Sequence, residues 1–508
     1  MSINIQKELI KKGYFPDEVG FWFQSDMFAD KYEEINKEVS FDSRKISKII
    51  NYSIPKGKFH RRKLGIPNPY HYFFLCKQIH DNWSEIKSHL DKSDISLTTP
   101  VFKVATKRAI SRKYSFEEIS SMFVTKAVGA NYVLKTDISR YYSTIYTHSI
   151  PWALHTKKIS KANRKDALLG NRLDKITRNS QDGQTMGIPI GPDTSLIIAE
   201  IIGVAMDEQI LSDINYISAF RYIDDYYIFY KDIAEAEKTL SKLQFVLSEF
   251  ELELNREKTN ICDMPQSIEP HWVSEINNSV LNNDNIVSFI SITYNLMRNN
   301  PNEEVLKYAL NKLSKLNIKK SNWILAQSFI LNSILYSPSA IPFACSILSE
   351  YYYKKFGIDN DKVLKTVTGI IEKALISNNE YEILWSIWLT YLLKVKLTDD
   401  LILKLCSIEN PLIALILLFL YPKSKLDISK WEEYMTAENL YGQYWILAYE
   451  ALVRGWLPSK DGDDYIENDD FFKILKSYNI TFFDIKCRDN WIHKNIDEKW
   501  LPVFSPAF

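Results

Sequence analysis

Apolar and aromatic residues follow two rhythms along this chain, and the rhythm changes near residue 265. Before that point, short runs such as "NYVLKTDI", "YISAFRYI" and "YYIFY" alternate with helical segments such as 233–250, which predicts mixed α and β structure. After "CDMPQSIEP" apolar residues recur every three or four positions over 303–316, 323–335, 363–376, 380–393 and 401–406. Short turns containing Pro, Asn, Gly or Asp separate these segments, so stacked helical hairpins of the α-solenoid kind are expected, a loose HEAT-like array without a tight repeat consensus. The division expected is therefore 1–265 and 266–508. The longest apolar run, "PLIALILLFLY" from Pro411 to Tyr421, is about half of the roughly 20 residues a helix needs to span a bilayer, and predicts a buried core helix. The stretch "SKDGDDYIENDD" reads as an acidic surface loop before a last packed segment.

Composition narrows the partners. At 508 residues the chain is long enough for two to four domains or subdomains. Lys+Arg and Asp+Glu both total 63, so a generally basic surface for nonspecific nucleic-acid binding is not indicated, and any phosphate binding must be local. Five cysteines with no CxxC or zinc-like spacing suit a reducing cytosol and exclude a thiolate metal site. The opening "MSINIQKELIKKGYFPDEVGFWF" has charges every few residues and lacks the apolar core of a signal peptide, so no export and no membrane are expected.

The candidate chemistry begins with paired acids. Asp-Asp occurs four times. In "LTDDLILKL" the pair at 399–400 suits a helix N-terminus, where carboxylates meet free N–H groups and the positive dipole end. Asp463-Asp464 follows Gly462 in a polar loop and should be solvated. Asp224-Asp225 differs: "SAFRYI" and "YYIFY" on its two sides are strand-like, which places the acids at the turn of a β-hairpin with apolar arms. Two partly buried carboxylates that close repel one another unless a cation sits between them. Mg²⁺ is the natural candidate, because it takes hard oxygen ligands and shares them with substrate phosphates. Two-metal phosphoryl transfer needs a further carboxylate from another strand. Asp137 in "NYVLKTDISRYYSTIYTHSIPWAL" can supply it, the plainer reading being an Asp that ends a strand and caps the next helix. Between the two motifs, in "QTMGIPIGPDTSLIIAEIIG", Gly187, Pro189, Gly191 and Pro192 set a turn ahead of an apolar helix, which lets backbone approach a flat ligand closely.

The order Asp, Gly-Pro turn and helix, Tyr-x-Asp-Asp, then "ELELNREKTNI" resembles the palm of reverse transcriptases. "DISRYYSTIYTHSIPWALHTK", "KGYFPDE" and the helical second half make the chain similar to the abortive-infection (Abi) phage-defence reverse transcriptases of the AbiK/AbiA and prophage-encoded type. The resemblance implies an α+β fingers/palm followed by an all-α HEAT-like repeat domain in place of a thumb. It also implies metal ligands Asp137, the carbonyl of Ile138, Asp224 and Asp225 for two Mg²⁺ ions, with Mn²⁺ as an alternative, and Tyr222 as the aromatic start of the hairpin motif. In "SIPKGKFHRRKLGIPNPY", Lys56 and Arg62 match positions that hold the incoming triphosphate, although five Lys/Arg between Lys56 and Lys63 could equally be a solvated charge run. Tyr142 matches a ring beneath the nucleotide sugar that favours deoxynucleotides, with a plain core tyrosine as the other reading. Lys258 matches the lysine after the catalytic hairpin, near the pyrophosphate, or is a surface lysine.

One departure bears on the reaction. Most templated reverse transcriptases carry glutamine where this chain has Ile190. The resemblance implies untemplated synthesis from deoxynucleoside triphosphates, primed by a tyrosine hydroxyl, with single-stranded DNA covalently attached to the protein, in a homo-oligomer (trimer or hexamer) in the bacterial cytoplasm. Among 30 tyrosines the sequence does not choose a primer, with Tyr32 and Tyr52 among the candidates, and the phage trigger stays unidentified. The alternatives are a templated RNA-directed polymerase of retron or mobile-element type, and a noncatalytic phage sensor or scaffold that keeps the fold.

Overall fold

The computed structural model describes residues 3–103 and 106–494. Eight strands occur among them, in three antiparallel sheets: β1 (Ile50–Lys56) with β2 (His60–Ile66), β3 (Val101–Phe102) with β4 (Ile110–Ser111), and a four-stranded sheet. The last contains β5 (Tyr132–Asp137), β6 (Ser218–Tyr222), β7 (Asp225–Tyr230) and β8 (Asn260–Asp263), in the spatial order β6-β7-β5-β8.

The side-chain alternation of a strand explains why this sheet is covered on both faces. Val133, Phe220 and Phe229 form a small cluster with Ile119 and Phe123 of the helix Phe116–Lys126. Leu134, Tyr226 and Ile228, one position out of phase, join the main core. There the sheet lies close to the helices Asp193–Leu211 and Ile233–Glu249. Each such apolar side chain contributes about 1.5–3 kcal/mol by leaving water, and a one-residue slip of β5 would turn Val133 and Leu134 to the wrong sides.

Beyond β8 the described residues form helices and connections. Trp323–Tyr336 packs on Asn360–Ser377, and Ile341–Tyr353 packs on Glu380–Leu393, so each helix meets its neighbour but one as well as its neighbour. The run beginning at Pro411 is a helix, Pro411–Leu420, with Asn410 capping its start and its side chains buried through Leu418. No helix among the described residues is long and apolar enough to cross a membrane. Asp399 and Asp400 occupy the first turn of the helix Asp399–Cys406, capped by Thr398. Asp463 and Asp464 are exposed. All five cysteines are free thiols.

The change of texture at 265 is a change of secondary structure, while the core runs through it. One continuous cluster joins Leu9 and Trp22 to Trp388, Trp445 and Phe483. Trp22 stacks on Tyr391 and meets Trp388 edge-on, the Trp385 indole donates to the Glu18 carbonyl at 2.7 Å, and Phe23 pairs with Phe483 in an isolated bridge. The β1–β2 hairpin is held by the same helices. The Gly57 amide at its tip donates to Glu304 Oε1 at 2.8 Å, and Arg61 grips both carboxylate oxygens of Glu382 at 2.7 and 2.9 Å.

Candidate active site

Asp137 is the last residue of β5 and lies directly opposite Asp225, the first residue of β7, in the antiparallel register. Asp224 occupies the two-residue turn between β6 and β7, where Tyr222 pairs with Asp225. The Ile138 amide donates to the Asp224 carbonyl at 3.2 Å, and the Asn255 amide to the Asp137 carbonyl at 2.8 Å. Ile138 is fully enclosed. The first bond fixes the end of β5 against the turn and the second ties it to the segment before β8, so three carboxylates from two distant parts of the sequence are brought to one edge of the sheet.

Their electrostatics show the crowding. Burial first, then the charge on Asp137, pushes Asp224 up to about 6. Burial and the neighbouring Asp224 push Asp225 up to about 7. Asp137 is only 6% exposed and accepts a hydrogen bond from the Lys258 ammonium. Burial opposes the charge on Lys258, but its hydrogen bond to Asp137 and the surrounding carboxylates hold its pKa above the ordinary lysine value. Lys56 behaves in the opposite way: burial, then Arg62 and Lys258, lower it despite the pull of Asp137 and Asp224. Lys56, Arg62 and Lys258 therefore share one electrostatic neighbourhood with the three acids.

The Gly-Pro turn closes the other side. Gly187 has φ 84°, and a Cβ there would stand 3.0 Å from the Ser143 carbonyl oxygen. Its amide donates to Ile145, and the Ile188 amide to Tyr142. Gly191, at φ 123°, has Pro16 where a Cβ would point. The Ile190 carbonyl accepts from the Gly65 amide of β2 at 2.9 Å, and Pro189 sits against Gly65, so this turn is stitched between hairpin and sheet. Tyr142 is half-buried, and burial followed by Asp224 raises its phenol far above the usual range.

The sequence reading missed a support beneath the turn. Arg221 is wholly buried. Its guanidinium binds Glu200 at 3.0 Å and Asp207 at 2.9 Å, and donates to the Ile223 carbonyl at 2.8 Å. Thr98 donates to Glu200 and accepts from the Ile223 amide, while Ser93 and Tyr226 donate to Asp207. Ile223 has φ 58°, unfavourable for a β-branched residue and worth about 1–3 kcal/mol of strain. Both of its peptide groups are tied to the network. A signal was available: Glu200 and Asp207 are two turns apart on a largely apolar helix, a spacing that puts both on one face and calls for a buried cation.

Among the described residues no group of three or more His, Cys, Asp or Glu stands at metal-ligating spacing. The donor set nevertheless fits a divalent ion, being all oxygen, with two carboxylates whose raised pKa values record a repulsion that a cation would relieve.

A four-stranded antiparallel sheet thus carries the three acids beside a basic hairpin. Residues 75–289, which hold all three acids, match the family model described as reverse transcriptase (RNA-dependent DNA polymerase). That stretch of the chain is thus similar to a reverse-transcriptase domain. No curated protein matches. Among solved structures, apo telomerase from Candida tropicalis aligns at 12% identity over 77% of this chain and 69% of that one, with a TM-score of 0.32. Telomerase from Candida albicans in complex with a fragment of telomeric RNA aligns at 10% identity over 76% and 68%, with a TM-score of 0.29.

Proposed function

We propose that the protein is a deoxynucleotide polymerase of the abortive-infection type, adding nucleotides without a template to a tyrosine hydroxyl of the protein itself. The observation that carries the polymerase reading is the register pair Asp137 and Asp225 with Asp224 beside it. Asp137, Asp224, Asp225 and the Ile138 carbonyl would hold Mg²⁺, which supplies Lewis-acid stabilisation of phosphoryl oxygens and acidifies the attacking hydroxyl. Lys56 and Arg62 bind the triphosphate, Lys258 balances charge at Asp137 and the departing pyrophosphate, and Tyr142 occupies the position where a ribose 2′-hydroxyl would collide. Gly187, Pro189 and Gly191 shape the floor under the nucleotide.

Ile190 supports the untemplated reading, since its side chain offers no polar contact and its carbonyl is already used by Gly65. Of the two tyrosines singled out, Tyr52 is unsuited to priming: it is wholly buried and its hydroxyl donates to the Glu18 carbonyl. Tyr32 is partly exposed, its hydroxyl accepting from Asn4 and donating to Glu33. The helical region past 265 takes the place of a thumb as a HEAT-like array and supports self-association.

The test uses purified protein, Mg²⁺ and labelled deoxynucleotides, with and without RNA. Label that survives denaturation with the protein, needs no RNA and is lost in Asp224→Asn is the expected result. The RNA-dependent activity in the matched family's description favours the templated alternative, and strict dependence on added RNA would establish it. No incorporation under any condition would leave a scaffold.

A further inference from the structure

Beyond the three acids lies a cleft of about 520 Å³ between the helices Ser149–His155 and Leu169–Asn179 and the segment joining them, well within the roughly 300–1,000 Å³ of ligand sites. Its wall is aromatic. The Tyr146 ring stands 4.9 Å from His148 and 5.6 Å from Trp152. Its charged lining is Lys161, Arg164, Lys175 and Arg178 against Asp166 and Asp174, an excess of two positive charges. Both acids are already engaged: Asp174 by His148 at 2.7 Å and Arg178 at 3.1 Å, Asp166 by Lys175 at 3.3 Å. Lys161 and Arg164 are exposed and have no ion-pair partner among the described residues. They belong to "KKISKANRK", residues 157–165, with five Lys/Arg and no acid in a chain of zero net charge.

The cleft is joined to the acids by a short strip of surface. From Asp137 the chain passes through exposed Arg140 and Ser143 to Tyr146, which bridges to Met186 beside the Gly-Pro turn. Aromatic rings that accept any base face, set among cations that accept phosphates, are what sequence-independent binding of a single strand requires.

The geometry points to this cleft as a binding site for single-stranded nucleic acid, taking a base against Tyr146 and Trp152 and the adjoining phosphates on Lys161 and Arg164. It rests on the polymerase reading for the origin of the strand, which is product DNA or template RNA; the recognition chemistry is the same for both. The local charge answers how a neutral protein can hold a polyanion.

The experiment measures anisotropy of fluorescein-labelled 12-mers of deoxythymidine and of uridine on the full chain, with nucleotide incorporation assayed on the same preparations. Trp152→Ala should weaken binding of at least one 12-mer about tenfold. Lys161→Glu combined with Arg164→Glu, both exposed positions, should flatten the salt dependence by about 0.7 per lost phosphate contact in the log–log slope. A 5-iodouracil-substituted 12-mer should photocrosslink to Tyr146 or Trp152. Preference for the DNA or the RNA 12-mer assigns the strand. Wild-type affinity and slope in both variants, or crosslinks confined to other regions, would overturn the site even if incorporation proceeds. Weakened binding in a protein that incorporates nothing would keep the site and sink the polymerase.

Discussion

Asp224 and Asp225 keep their protons to a higher pH than ordinary aspartates, because burial and one another's charge oppose ionisation. An unfolded chain releases those protons near the normal value of 3.8, so between about pH 4 and 7 the native state binds more protons than the unfolded one. The stability these groups confer is therefore full below the unfolded value and is lost as pH rises through about 6 and about 7. A divalent ion selects the ionised carboxylates and reverses the trend. Scanning fluorimetry should show a Mg²⁺-induced rise in melting midpoint that grows from pH 5.5 to pH 8 and disappears in Asp224→Asn. An equal rise at both pH values would argue that the ion binds elsewhere. Asp137→Asn, Asp224→Asn and Asp225→Asn should each lower incorporation by at least about a thousandfold while far-UV circular dichroism stays at the wild-type level, since each removes a negative charge that would hold the divalent ion without changing side-chain volume.

At the scale of elements, the turn bearing Asp224 is a strained piece held by buried charges. Gly203 lies between Glu200 and Asp207 on their helix, and a Cβ there would stand 2.8 Å from the Arg221 guanidinium. Gly→Ala inside a helix ordinarily stabilises by about 1 kcal/mol. Here the sign should invert: Gly203→Ala should destabilise by about 1–3 kcal/mol in denaturant titration and depress incorporation, because it displaces the group that carries the Ile223 carbonyl. The hairpin itself was legible in sequence, since alternation and a two-residue turn are local properties of "RYIDDYYIFY". The role of its first residue was not. Arg221 finds its partners on a helix 14 and 21 positions earlier, and only folding shows that this face turns toward the strand. The cations of 157–165 escaped for the same reason, because a charge run is a solvated face until a wall of rings is found opposite it.

For the whole molecule, the periodicity located Trp323–Tyr336, Glu380–Leu393 and Asp399–Cys406 within two residues, because amphipathic spacing is written into such segments, and passed over others such as Ile341–Tyr353 and Trp445–Val453. What it did not show was that residues 5–23 pack into that half, since contact between Trp22 and Trp388 leaves no mark on either local pattern. A fragment of residues 1–265 should accordingly aggregate or bind a hydrophobic dye, with Trp22, Phe23 and Phe28 stripped of their cover. A soluble monomer with native-like melting would contradict this. The Arg61–Glu382 grip joins the basic hairpin to the helices, and a double-mutant cycle to alanine should give a coupling of about 1–3 kcal/mol, with incorporation falling as the hairpin loosens.

The Trp385 indole closes on the Glu18 carbonyl across 367 positions of chain. During translation the segment around Glu18 leaves the ribosome long before Trp385 is made, a wait of roughly 20–70 s at about 5–20 residues per second. Throughout that interval Trp22 and Phe23 lack the aromatic neighbours that enclose them, and Arg61 lacks the carboxylate that steadies the basic hairpin. A nascent chain that already holds all three aspartates thus still lacks the contacts that steady the hairpin beside them.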